Sequence, residues 1–328
     1  MRRTRTTAIA LVVLAALATA CSKGDDGTAG GTTTTRRDEP TTTTTTAAPA
    51  DCPTPATETG TLDRTLQVDG TQRHYLLAVP KSYDGTKPVP LVFTFHGLGS
   101  NSRQQLLYSR WGQLGETEGF LTVAPDALGD AHRFDFIKPL SDPTSDAAFT
   151  DALLKELERT YCIDPDRLYA SGMSNGSAVT FGLACRHEEP FAAYGSVAAS
   201  FYLDAYCGGA PPTSLIYFHG TKDPVVPYGG GKVTVDPTAS VNAAPNVLAE
   251  WAKHDGCGDP ATSTPAADVQ LTHWASCTEG SEVAFYSVVG GGHTWPGSIP
   301  VPRLGATTDS IDATALMWAF FQAHPRRR

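Results

Sequence analysis

Positive charge is scarce in this chain of 328 residues: 25 Lys and Arg stand against 34 Asp and Glu, a formal net charge of -9. A protein that grips a nucleic-acid backbone needs the opposite balance, so no nucleic-acid partner is expected. Long apolar runs are also rare. The one near the N-terminus, Ala8 to Ala18, is too short to span a bilayer as a mature helix. The 7 cysteines include no C-x-x-C pair and no compact Cys/His cluster, so no metal site is read. Charge is sparse overall: 18% of residues are charged and 41% are hydrophobic, which excludes a fully disordered chain and permits a real core.

The N-terminus has the pattern of an export leader. Arg2, Arg3 and Arg5 precede the apolar run, and Leu17-Ala18-Thr19-Ala20-Cys21 closes it. The close is similar to a bacterial lipobox, with Leu four residues before the Cys where the commonest pattern has three. Residues 1–20 are therefore expected to be a signal peptide, and Cys21 a lipidated residue. The protein would be an exported lipoprotein on the outer face of the cell membrane, or a secreted one. Without the three leader arginines, 22 positive side chains face 34 negative ones, so attachment would have to come from the lipid. Residues 21–60 are rich in Thr, Gly and Pro, with threonine runs at Thr32–Thr35 and Thr41–Thr46, and read as a flexible tether. Six cysteines remain, an even number that suits disulfides in an exported chain. Proximity favours Cys185–Cys207 and Cys257–Cys277, which leaves Cys52 for Cys162 by elimination.

Residues 61–325 read as one α/β domain, expected to be monomeric. Leu62 to Val79 forms two strands joined at Asp69-Gly70, a strong hairpin signal. Short, nearly continuous apolar runs follow at 90–96, 120–124, 167–170, 193–197, 215–218 and 283–288, as expected of strands buried on both faces of a parallel sheet. Helical patterns lie between them at 104–118, 145–161, 175–187, 246–254 and 310–323. That alternation predicts a mostly parallel central sheet flanked by helices.

The chemistry centres on Ser171-Gly172-Met173-Ser174-Asn175-Gly176, a G-x-S-x-G sequence between a predicted strand and a predicted helix. A Ser on that turn is pushed outward, and the Asn175 backbone N–H lies free at the helix start. A nucleophilic Ser in this setting needs an acid and then a His further along. Asp223 follows the buried strand that ends at His219-Gly220, and His293 follows Gly290-Gly291-Gly292 beyond the last strand. The order Ser174, Asp223, His293 is the one such a fold requires, with His293 as base and Asp223 orienting it. His96 and His219, at strand ends, read as structural or site-lining. For the second oxyanion donor the candidate is the Leu98 backbone N–H, with Gly99 as second choice.

Ser171–Gly176, His219–Tyr228 and Gly290–Gly297 together resemble the polyhydroxybutyrate depolymerase and feruloyl-esterase-like lineage of α/β-hydrolases. That lineage includes acetyl xylan esterases and mycobacterial-type lipoproteins. The resemblance covers residues 65–323, departs from the common pattern at Ser177 and Leu98, and implies the α/β-hydrolase fold. It also implies that Trp295 lines the substrate cleft and that Cys257 and Cys277 brace the loop before the last strand. Tyr228, Phe201 and Tyr202 are further candidates to touch substrate because they follow the site elements closely. The expected activity is that of an extracytoplasmic serine carboxylesterase, cofactor-free, on short-acyl or hydroxyalkanoate esters, possibly polymeric. The alternative is a feruloyl or acetyl xylan esterase acting on plant polysaccharide. A peptidase or acyltransferase on the same triad, or a non-catalytic binding protein, is weaker, because all three triad residues are present and nothing marks a water-excluding site.

Overall fold

The computed structural model describes residues 52, 53, 58–135, 144–186, 190–201 and 207–326. The expected leader, the expected lipid acceptor Cys21 and Tyr202 lie outside the described residues, as does most of the tether. In chain order the hairpin β1 (Gly60–Val68) and β2 (Thr71–Val79) leads into β3 (Val89–Phe95). Helices α1 (Ser102–Ser109) and α2 (Trp111–Glu118), then β4 (Leu121–Pro125) and α3 (Asp146–Thr160), follow. Next come β5 (Ile163–Met173), α4 (Asn175–Ala184), β6 (Ala193–Val197) and β7 (Ser214–Gly220). A small hairpin, β8 (Gly231–Val233) and β9 (Asp236–Val241), precedes α5 (Ala244–His254). Strands β10 (Ala261–Ala266), β11 (Val269–Trp274) and β12 (Val283–Val288) then lead to α6 (Ala313–Ala323).

Ten strands form one sheet in the order β1-β2-β4-β3-β5-β6-β7-β12-β11-β10. The central run from β4 to β12 is parallel, and antiparallel hairpins extend it at both edges. This is the mostly parallel, helix-flanked sheet expected from the apolar runs, and the α/β-hydrolase fold that the resemblance implies. The continuous character of those runs has a direct cause in the pleat. In β3, Leu91, Phe93 and Phe95 pack into one core while Val92 packs into the other. In β7, Leu215 and Tyr217 face the first core, and Ile216 and Phe218 the second. The first core is closed by α3, α4 and α5 through Leu153, Phe181 and Trp251, the second by α2 and α6 through Trp111, Met317 and Phe321.

The single helix expected over 104–118 is two. Arg110 stands between them in the left-handed region at φ 59°, and its guanidinium pairs with Asp312 at the start of α6. Two hairpins escaped the sequence pattern. β10 (A-T-S-T-P-A) is almost wholly exposed and carries Pro265 at an irregular edge, so it has no apolar alternation to read. β8–β9 is short and polar and pairs only with itself.

Disulfides join Cys52 to Cys162, Cys185 to Cys207 and Cys257 to Cys277, the last two as proximity favours and the first as elimination left it. The first pins the end of the expected tether to the start of β5. The third spans 20 residues and closes the β10–β11 hairpin beneath α5. Replacing Cys257 and Cys277 together by Ser should cost about 3 kcal/mol of stability, the loop-closure entropy of a link of this length. A thermal melt of the double variant should therefore fall by several degrees, and an unchanged midpoint would show that the bond restrains nothing in the unfolded chain.

Candidate active site

Ser174 sits between β5 and α4 with φ 55° and ψ -120°, a conformation that a residue bearing Cβ avoids. Close packing holds it there. A Cβ on Gly172 would lie 2.2 Å from the Gly176 carbonyl oxygen, so the strand end and the first helical turn approach as only glycine permits. The Ser174 N–H is anchored on the Val197 carbonyl of β6 at 2.9 Å. The side chain consequently projects from the C-terminal edge of the sheet, with the N-terminus of α4 behind it.

The loop after β3 supplies the opposite wall. Gly99 N–H donates to the His132 carbonyl at 3.2 Å, which removes the second-choice oxyanion donor. Leu98 N–H makes no hydrogen bond among the described residues and stays available. His96 fixes this loop: its Nδ1 donates to Gly97 O at 2.7 Å, and its Nε2 accepts from Ala127 N–H at 3.1 Å. Burial pushes the His96 imidazole below its usual value, consistent with a neutral ring holding two loops together. The side chain of Asn175 has a task the sequence did not reveal. It accepts from Phe134 N–H at 2.8 Å and donates back to Phe134 O at 3.2 Å, clamping the loop after β4 to the elbow.

Asp223 and His293 come from two loops that cross at Gly220, where an added Cβ would lie 2.3 Å from the carbonyl oxygens of Gly291 and Gly292. His293 Nδ1 donates to Asp223 Oδ2 at 2.7 Å, and both residues are buried. Asp223 Oδ1 accepts from the N–H groups of Val225 and Val226 at 2.7 and 2.8 Å. His219 Nε2 stands 3.2 Å from Oδ2. Burial alone would raise this carboxyl, but hydrogen bonds from His219 and His293 outweigh it and hold Asp223 well below the usual carboxylate range.

Two cavities meet at Ser174, and both are lined by Leu98, Ser174 and Val235. The larger, about 950 Å³, mixes apolar Phe134, Phe201, Val226 and Val241 with polar Asn175, Asp146 and Ser200. The smaller, about 450 Å³, contains His293 and is walled by Leu107, Tyr108, Ile299 and Leu304. An ion pair between Arg133 and Asp236, 3.1 Å apart, ties the loop after β4 to the β8–β9 hairpin at the larger cavity. Among the described residues no group of three His, Cys, Asp or Glu side chains is placed to hold a metal ion.

Of the aromatic candidates, Phe201 lines the larger cavity. Trp295 does not face substrate. It is fully buried in the second core, where its Nε1–H donates to Thr314 Oγ1 at 2.9 Å, anchoring the His293 loop to α6. Tyr228 lines neither cavity: it packs on His219 and Phe285 and bonds Ser287 through its hydroxyl at 2.8 Å. Adjacency in sequence to a site residue was a poor guide for both, because a residue beside a loop histidine can equally point into the core. The elbow packing is directly testable. Gly172→Ala should destabilise the domain by roughly 1–3 kcal/mol through overpacking, read as a lower denaturant midpoint; a midpoint equal to the parent's would mean that the elbow has room to spare.

No protein-family model matches the chain. Over 232 residues it is 28% identical to feruloyl esterase B of Piromyces equi, an alignment covering 67% of this chain and 42% of that protein. It is 29% identical over 181 residues to feruloyl esterase C of Emericella nidulans, covering 54% of this chain and 63% of that one. The chain thus spans about half the length of these two curated relatives. Among solved structures it is similar to an acetyl xylan esterase from Aspergillus awamori, with TM-score 0.56 and 15% identity over 80% of this chain and 99% of that one. At that identity the likeness establishes the fold. The chain has the α/β-hydrolase fold and is related in sequence to feruloyl esterases.

Proposed function

We propose that the chain is a serine carboxylic ester hydrolase acting through an acyl-enzyme on Ser174. The observation that carries this reading is a Ser held at φ 55° on a strand-to-helix elbow, sharing a cavity with a His whose far nitrogen is bonded to a buried Asp. In the reaction His293 takes the Ser174 proton as Oγ attacks the ester carbonyl, and Asp223 stabilises the imidazolium that forms. The backbone N–H groups of Leu98 and Asn175 receive the negative charge on the carbonyl oxygen. His293 then returns the proton to the leaving alkoxide, and water repeats the cycle on the acyl-enzyme.

That proton path orients the substrate. The leaving oxygen has to be near His293, so the smaller cavity takes the alcohol and the larger one takes the acyl group. A cavity of about 950 Å³ is at the upper end of what holds a drug-sized ligand, larger than a short acyl chain needs. Residues 136–143, in the loop after β4, lie outside the described residues. A bulky acyl group with polar substituents fits the mixture of Phe134 and Phe201 with Asn175 and Ser200, and the curated relatives are feruloyl esterases. The reading favoured is therefore the feruloyl branch, hydrolysis of feruloyl esters of plant polysaccharide. One observation supports the hydroxyalkanoate polyester reading as second. Of the five large apolar side chains most exposed among the described residues, four (Leu98, Leu107, Val235 and Ile299) surround the smaller cavity.

Export and lipidation at Cys21 are proposed from the leader pattern, and the three disulfides suit an oxidising compartment. Cys21→Ser should shift the protein from the membrane fraction to the medium, or leave it uncleaved. Native intact mass lacking a lipid at Cys21 would refute the anchor. For the activity, Ser174→Ala should fold normally and lose turnover by on the order of 10⁴-fold or more. Methyl ferulate, acetylated xylan, p-nitrophenyl butyrate and amorphous polyhydroxybutyrate, each assayed against this variant, read out the substrate class. Turnover of the polyester with no release of ferulate or acetate would reverse the order of the two readings.

A further inference from the structure

His219 ends β7 fully inside the protein, between the rings of Tyr217 and Tyr228, at centroid distances of 5.7 and 5.6 Å. Its two nitrogens have unlike partners. Nε2 faces only acceptors, the Val226 carbonyl at 2.9 Å and Asp223 Oδ2 at 3.2 Å, so it carries the proton. Nδ1 is then the acceptor, and the Tyr217 hydroxyl donates to it across 2.6 Å. Ser200, a residue lining the larger cavity, lies beside the Tyr217 hydroxyl. A buried polar row thus runs from Tyr217 through His219 to the carboxylate that holds His293.

The carboxylate receives more donors than orientation of one imidazole requires. Oδ1 is fixed by two backbone N–H groups, while Oδ2 is bonded by His293 and lies 3.2 Å from His219 Nε2, which bonds the Val226 carbonyl. We propose that His219 is a positioning residue: its Nε2–H, held between the Val226 carbonyl and Asp223 Oδ2, keeps that oxygen in line with His293 and takes up part of the negative charge that His293 would otherwise feel. The proposal rests on the esterase reading of Ser174, Asp223 and His293. The groups facing His219 are Tyr217 on its own strand, Asp223 and Tyr228 on the following loop, and Ser287 opposite it on β12, with His293 beyond Asp223. None of these is a competing cation, so the direction of the effect is fixed. Without the His219 donor, the full carboxylate charge bears on His293, which then holds its proton more tightly and leaves less free base at mildly acidic pH.

The test uses the full chain and a soluble p-nitrophenyl ester, with kcat and KM measured across the acidic limb. His219→Gln places an amide nitrogen near the position of Nε2, whereas the amide of His219→Asn is too short to reach Asp223. The Asn variant should lose roughly tenfold or more in kcat with KM little changed, the scale of one hydrogen bond to a charged group, and its acidic limb should move to higher pH. The Gln variant should recover most of both. Tyr217→Phe, a gentler change that leaves Nδ1 without its donor, should move the limb the same way by less, and it keeps the test open if the Asn variant does not fold. A folded Asn variant with the parent's limb and kcat, Gln no better than Asn, or an unmoved limb in Tyr217→Phe would overturn the proposal. Turnover that survives in Ser174→Ala would instead overturn the esterase reading, and the role of His219 with it.

Discussion

Ser174 can occupy a left-handed backbone conformation only because the first turn of α4 is pressed against the ends of β3 and β5, with no side chain between them. The cost of such a conformation is of order 1–3 kcal/mol, and it persists because the surrounding packing leaves the backbone no alternative. The rest of the site is arranged around that point. The loop after β3 passes close enough that a Cβ on Gly97 would touch the Ser174 Cβ at 3.3 Å. The helix amides open toward the same space, and the loops after β7 and β12 meet beside it through Gly220. Parallel strands make this convergence possible, since their C-terminal ends all lie on one edge.

Electrostatics divides the site into a dry half and a wet half. Asp223, His219 and His293 are buried, and hydrogen bonds to Asp223 and His219 set their geometry by the fold. The larger cavity has a second buried pair beneath it. Arg73 is inaccessible, lies 4.0 Å over the Phe149 ring and pairs with Asp146, whose other oxygen accepts from Asp135 N–H. Burial pushes Asp146 up and Arg73 down, opposed in each case by the partner's charge. Such a pair contributes little net stability, but it fixes where the loop after β4 meets α3. The Arg133–Asp236 pair is far more exposed and adds correspondingly little.

Much of this was legible in the sequence because the strong signals are local. Strands buried on both faces announce themselves as unbroken apolar runs, and β3, β5 and β7 were readable for that reason. The G-x-S-x-G elbow and the glycines before His293 are backbone requirements written directly into residue type. What escaped depends on the third dimension. The Asn175 clamp on Phe134 joins residues 41 apart, and the His219 contact with Asp223 needs a turn geometry that spacing does not specify. Trp295 was misjudged because its neighbour His293 faces the cavity while the indole turns into the second core. The β8–β9 and β10–β11 hairpins include exposed, small or polar residues with no buried face to impose a period.

The β8–β9 hairpin pairs with no strand of the main sheet, yet Val233, Val235 and Val241 form one side of the larger cavity. Its ends are brought together by the hydrogen bond from Ala244 N–H to Tyr228 O at 2.9 Å, and its middle is held by Thr234 N–H on Val225 O at 3.0 Å. Topologically it is an insertion whose entry and exit are already closed. Residues can be gained, lost or exchanged there without changing the register of a sheet strand or moving Asp223. The chain therefore separates two structural problems: the triad is locked by the sheet, while the shape of the larger cavity is carried in part by a segment whose residues can change without disturbing it.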